Sequence, residues 1–214
     1  MTFSLMRPRR LAAVALAILT LAAAPAQALD SQQAEQARAV VTQLADDLST
    51  LASRSADLSR AESVEAARDI LRDSFDLERI AAATVGASRF EKWTEDQRAD
   101  YVDAFIRYTL ASQTGALTRY EQEKLAIESV QEGPSGLVMV RTTYSGADGA
   151  STVDFMLARN AERRFQIVDL VVDGAVSQLQ LRRAEFGSVL KSKGYDGLLA
   201  ILREKTEKLL AKQS

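Results

Sequence analysis

The chain contains no cysteine and no histidine. Without cysteine there is no disulfide, no thiol redox chemistry and no thiolate metal site, so the fold rests on packing alone. Without histidine, Ser-His-Asp and Cys-His hydrolases, His-ligated zinc or haem, and imidazole proton shuttles are excluded. Neither G-x-x-x-x-G-K-[ST] nor G-x-G-x-x-G occurs, so no nucleotide cradle is expected. Net charge is −2, from 27 basic and 29 acidic residues, which argues against a nucleic-acid partner. An enzyme built from this chain would be left with carboxylate, tyrosine or lysine chemistry.

The long apolar run stands at the start. Arg7, Arg9 and Arg10 precede Leu11 to Ala23, which is apolar or small apart from Thr20, and Ala26-Gln27-Ala28 has the A-x-A form of a signal-peptidase site. Residues 1–28 are therefore expected to be a secretory signal peptide cleaved after Ala28, with 29–214 as a single domain. The run is shorter than the ~18 residues a membrane span requires. Cleavage removes three arginines and no acid, taking the net charge from −2 to −5 over 186 residues. A chain of that length buries roughly 70% of its unfolded surface, enough for one real core.

Helical periodicity fills the first half. Ala37, Val40, Val41, Leu44, Leu48 and Leu51 form one stripe from Asp30 to Ser53, with Asp30 or Ser31 as cap. Val64, Ala67, Ile70 and Leu71 form a second from Arg60 to Ser74. Asp76 caps a short helix that Gly86 ends, and Thr94 with Gln97 makes a capping box for a helix carrying Tyr101, Phe105 and Tyr108, with Leu117 and Tyr120 on nearby faces if it extends so far. That aromatic stripe reads either as plain core or as the wall of a cavity.

Strand periodicity follows. Leu125 to Gln131, Leu137 to Ser145, Ser151 to Arg159 and a strand from Arg164 are separated by Gly133-Pro134-Ser135-Gly136, Gly146-Ala147-Asp148-Gly149 and a short loop. The fourth has apolar residues at both parities, Phe165, Ile167 and Val171 against Val168, Leu170 and Val172, and reads as a central strand. Asp173-Gly174 breaks it, and a helix is expected to begin near Ala175. A last helix is expected from Asp196 to Ala211. The fold class is α+β, a four-stranded antiparallel meander between helices.

An ordered set of short motifs spans nearly the whole remaining chain. FDLERIAAATVG runs from Phe75 to Gly86, W-T-x-x-Q-R from Trp93 to Arg98, DAFIRYTL from Asp103 to Leu110, and A-L-x-x-Y from Ala116 to Tyr120. VDFML follows from Val153 to Leu157, VDLVVDG from Val168 to Gly174, A-E-F-G from Ala184 to Gly187, and K-G-Y-D-G-L from Lys193 to Leu198. Together they resemble the periplasmic lipid-shuttle proteins of the maintenance-of-lipid-asymmetry pathway, also called toluene-tolerance or auxiliary transport proteins. The resemblance implies helices packed on a curved sheet in a cone like that of nuclear transport factor 2, with an apolar cavity for phospholipid acyl chains. It implies an inner-membrane ATP-driven transporter complex and an outer-membrane lipoprotein and porin complex as partners, a monomeric carrier and no cofactor. Two places depart from the family pattern. Gln113 stands where the family often has tyrosine, and the stretch from Gly174 to Phe186 is about one residue longer, as in the branch associated with hopanoid biosynthesis, which implies a hopanoid as the alternative ligand.

The inward apolar set expected to bind lipid is Ile80, Val85, Tyr101, Phe105, Tyr108, Val138, Val140, Val153, Phe155, Leu157, Ile167 and Leu170. Arg182 or Arg183 can meet a phosphate at the mouth, but not both, because adjacent helical residues point ~100° apart. Asp169 is the odd carboxylate, expected in a salt bridge with Arg141 or in a strand-end hydrogen bond. Two other classes stay open beside the carrier: a pocket isomerase using Asp169 with Tyr101 or Tyr108, and a chaperone or adaptor with an exposed apolar groove.

Overall fold

The computed structural model describes residues 29–54, 57–114, 124–146 and 149–211. The expected leader up to Ala28, Leu117 and Tyr120, the turn residues Ala147 and Asp148, and the side chain of Gln113 lie outside the described residues.

The helices start where short polar side chains satisfy free amides. Asp30 accepts the Gln32 N–H at 3.2 Å to open α1 (Ser31–Ser53). Ser59 and Glu62 form a capping box for α2 (Arg60–Ser74). Asp76 caps α3 (Leu77–Val85), and Gly86, at φ 87°, ends it with a backbone turn that a side chain would resist. After the single turn of α4 (Ala87–Phe90), Thr94 and Gln97 exchange bonds of 3.1 and 3.2 Å ahead of α5 (Glu95–Thr114). The caps expected from the sequence at Asp30, Asp76, Gly86 and Thr94 are all present.

The sheet has five antiparallel strands in sequence order, not four: β1 (Lys124–Glu132), β2 (Val138–Gly146), β3 (Gly149–Arg159), β4 (Phe165–Val172) and β5 (Val176–Ser177). The extra strand comes from residues expected to begin a helix. Asp173 and Gly174 both have positive φ, 50° and 66°, so Asp-Gly reverses the chain and pairs Val176 with Val172. Helix α6 (Gln178–Ala211) starts only after that pairing. It passes through Gly187 and breaks at Gly194, φ 67° and ψ −168°, so the expected last helix is its second half.

Strand β4 lies between β3 and β5 but is not flanked by a strand along the whole of its second edge. Only the two residues of β5 lie beyond it, and the rest of its outer edge is met by the chain between α2 and α3, where Asp76 N–H donates to Ile167 C=O at 3.0 Å. Its alternation is not strict either. Met156 pairs with Asp169 and Leu157 with Ile167, leaving Val168 as an extra residue in a β-bulge. The bulge resets the faces: Phe165, Ile167 and Leu170 pack with α1, while Val168 and Val171 join Met156 and Ala158 on the other side.

Two larger clusters form the core. In the first, Val41, Leu44, Leu48 and Leu51 of α1 meet Val140, Phe155, Leu157 and Ile167 of the sheet, with Ala67 of α2 and Leu110 of α5. In the second, α3, α5 and α6 enclose Phe90, Tyr101, Phe105, Tyr108 and Phe186. On the outer sheet face Arg141 donates to Asp154 through two bonds of 2.8 and 2.9 Å. Arg141 pairs with Asp154 and not with Asp169, because the two stand directly opposite in the β2–β3 register, and Asp169 takes the other expected course, hydrogen bonds at the strand end.

Candidate functional site

Between the first cluster and the helices lies a cavity of about 500 Å³. Helical spacing delivers most of its wall: Leu44 and Leu48 from α1, Ala67 and Leu71 from α2, and Phe105 and Thr109 from α5 each stand four residues apart on one face. Alternation on β3 delivers Ser151, Val153 and Phe155, and the reset face of β4 delivers Leu170 and Val172. Phe75, Leu77 and Ile80 close it around the start of α3.

Polar groups on the wall gather where β4 passes into α6: Asp169, Gln178 and Arg182, with Ser151 of the neighbouring strand. Gln178 is exposed and Arg182 partly so, whereas Leu44, Leu48, Ala67, Leu110 and Phe155 are buried. The mouth is therefore at the polar end.

Both charges on the wall are already engaged. Asp169 accepts the Leu170 and Leu179 N–H groups at 2.8 and 2.9 Å and the Ser177 hydroxyl at 2.5 Å, holding the first turn of α6. Arg182 Nη1 donates to Tyr108 Oη at 2.8 Å and to Glu185 at 3.3 Å, and its guanidinium carbon sits 4.9 Å from the Tyr108 ring centre. Lys205 reaches the other Glu185 oxygen at 2.6 Å. Burial pushes the Glu185 carboxyl up, but the Lys205 and Arg182 cations outweigh it and hold the group below the ordinary carboxylate value. The hydrogen bond to Glu185 correspondingly raises Lys205.

Of the residues expected to line a site, Ile80, Phe105, Val153, Phe155 and Leu170 are on the wall. Val85, Tyr101 and Tyr108 pack in the aromatic cluster instead, and Val138, Val140, Leu157 and Ile167 in the aliphatic cluster. The contribution of α1 and α2 was not expected. Leu44, Leu48, Ala67 and Leu71 read as stripe residues in the sequence, and nothing in a stripe tells which turn faces a neighbour and which faces a gap.

The structure pairs neither tyrosine with Asp169. The buried Tyr101 hydroxyl bonds Thr84 at 2.6 Å, and burial raises its pKa. The Tyr108 hydroxyl takes the Arg182 donor. Asp169 serves as a structural acceptor for the start of α6.

The family model described as MlaC protein matches residues 27–204. Among solved structures, the chain is similar in fold to a phospholipid-binding protein from Ralstonia solanacearum, determined in complex with a phospholipid. The match has a TM-score of 0.68 at 19% identity, and covers 81% of this chain and 98% of that one.

Proposed function

The chain belongs to the MlaC protein family, and from that premise we propose that it is a periplasmic carrier that holds phospholipid acyl chains in its cavity. The observation that carries this reading is the wall: 15 of its 21 residues are aliphatic or phenylalanine, and the two charged ones are already paired. The volume, about 500 Å³, falls in the range of roughly 300–1,000 Å³ usual for small-molecule sites. Each methylene moved from water to such a wall contributes ~0.8 kcal/mol, so chain burial alone can retain a lipid in an aqueous compartment. Ile80, Phe105, Val153, Phe155 and Leu170 are the sequence-expected residues that would touch the chains.

The remaining parts of the proposal follow from that role. A leader cleaved after Ala28 delivers the protein to the periplasm. Because burial holds the lipid tightly, release requires partners, an inner-membrane ATP-driven transporter complex at one end and an outer-membrane lipoprotein and porin complex at the other. The phospholipid bound by the similar Ralstonia protein supports phospholipid as the ligand here. The test is mass spectrometry of lipid extracted from protein purified from its native envelope without detergent. Near-stoichiometric phospholipid is the expected result; hopanoid in its place would replace the ligand, and an empty protein that takes no lipid from vesicles would overturn the carrier.

A further inference from the structure

A guanidinium offers five N–H donors in a planar fork. Arg182 uses one corner of that fork. Nη1 serves both Tyr108 and Glu185, while among the described residues nothing accepts from Nε or Nη2. The side chain is 32% exposed and stands on the cavity wall at its polar end. An unfilled edge of two parallel donors matches two oxygens of a phosphate, in the bidentate geometry that lysine cannot reproduce.

Its surroundings allow the contact. Glu185 is the looser of the two contacts, at 3.3 Å against 2.8 Å for Tyr108, and it keeps Lys205 as a partner if Arg182 turns to another anion. Asp169, the other charge on the wall, has its oxygens taken by the Leu170 and Leu179 amides and the Ser177 hydroxyl, so it does not compete for the fork. Arg183, one residue on, is exposed and does not line the cavity.

We propose that Arg182 reads the phosphate of the bound lipid, its Nε–Nη2 edge taking two phosphate oxygens at the mouth while Tyr108 and Glu185 hold the guanidinium through Nη1. This rests on the carrier reading and narrows it. The cavity selects for burial of chains and Arg182 for an anionic phosphate attached to them, so phosphate-bearing lipids are retained over uncharged lipids with the same chains.

The experiment measures retention of labelled phosphatidylglycerol and of diacylglycerol with identical chains by the delipidated protein and by Arg182→Lys, Arg182→Gln and Glu185→Gln. Losing the charge-assisted pair is expected to weaken phosphatidylglycerol about tenfold in Arg182→Gln, and by a smaller factor in Arg182→Lys, which keeps the charge but not the fork, leaving diacylglycerol within about twofold of the parent in both. Glu185→Gln, which removes the negative charge beside the fork, is expected to retain phosphatidylglycerol more strongly, opposite to a merely structural loss. Equal weakening of both lipids, or no weakening of either, would overturn the assignment. Equilibrium dialysis with labelled inorganic phosphate separates the sources of the anion: Arg182-dependent binding of free phosphate as strong as that of the lipid would make this an anion site and not a headgroup site. A parent protein that retains neither lipid would mark failure of the carrier reading itself.

Discussion

The two large clusters of this protein bury their residues equally well and do different things with the space between them. The aromatic cluster is filled. Trp93 lies 5.2 Å from Tyr101 and 5.0 Å from Tyr195, and Phe186 lies 6.3 Å from Phe105, all edge to face. Rings meeting in that way close the gaps that their size would otherwise leave. The aliphatic cluster is open: α1 and α2 approach a bulged sheet with branched side chains and, on the wall, the small Ala67, and the surfaces part around about 500 Å³. Phe105 belongs to both regions, packing on Phe186 and lining the cavity.

The comparison can be broken most severely on the filled side. Phe186→Ala removes a ring that is 2% exposed and meets both Phe105 and Tyr108. Denaturant unfolding should show a loss of ~3–5 kcal/mol, and a loss below 1 kcal/mol would mean that the aromatic frame is looser than its packing indicates. On the open side the same chemistry should act in reverse. Ala67→Phe adds a ring where there is space, so stability should change by less than ~1.5 kcal/mol while lipid retention falls sharply. Large destabilisation with retention intact would show that the void does not hold the ligand.

The smallest effect is expected where the regions are tied, through Tyr108, Arg182, Glu185 and Lys205. The Glu185 carboxyl is held below its unfolded value, so its contribution is full above the ordinary carboxylate range and disappears as pH falls through the lowered value. Lys205 is raised, so its share persists through neutral pH and is lost only as pH climbs past its raised value. With Glu185 about a third exposed, solvent screening keeps the pair below ~1 kcal/mol. Unfolding of Glu185→Gln should therefore differ from the parent near neutral pH and converge with it in acid. A gap that widens in acid would contradict the sign.

Much of the local structure was legible because it is set by groups a few residues apart. The Thr94–Gln97 box, the Asp76 cap and the Gly86 stop each need only their own turn. The alternation of Phe155 and Leu157 against Asp154 could be read in the same way. The bulge at Val168 could not, since an extra residue exists only relative to the partner strand. It moved Leu170 to the face of Ile167, against strict alternation. The fifth strand was missed for a related reason: Asp173-Gly174 is a hairpin signal whose return strand, two residues long, is too short for any periodicity.

The candidate site was legible in kind and only partly in membership. Apolar residues at helical and strand spacing made a lined cavity possible, and the motif order pointed to the family. Which of them face the cavity depended on where packed surfaces part. Val85, Tyr101 and Tyr108 went to the filled cluster, and Ile80 and Phe105 to the wall, though all five lie on α3 and α5.

The sequence by itself determined the absence of cysteine and histidine chemistry, the starts of α1, α2, α3 and α5, the antiparallel sheet and the α+β class, because composition, caps and periodicity act within one element. Only the tertiary structure decided the bulge, the pairing of Arg141 with Asp154, the engagement of Asp169 and Arg182, and the line between core and cavity. Those depend on distances between elements far apart in the chain, and a void is a property of what fails to meet.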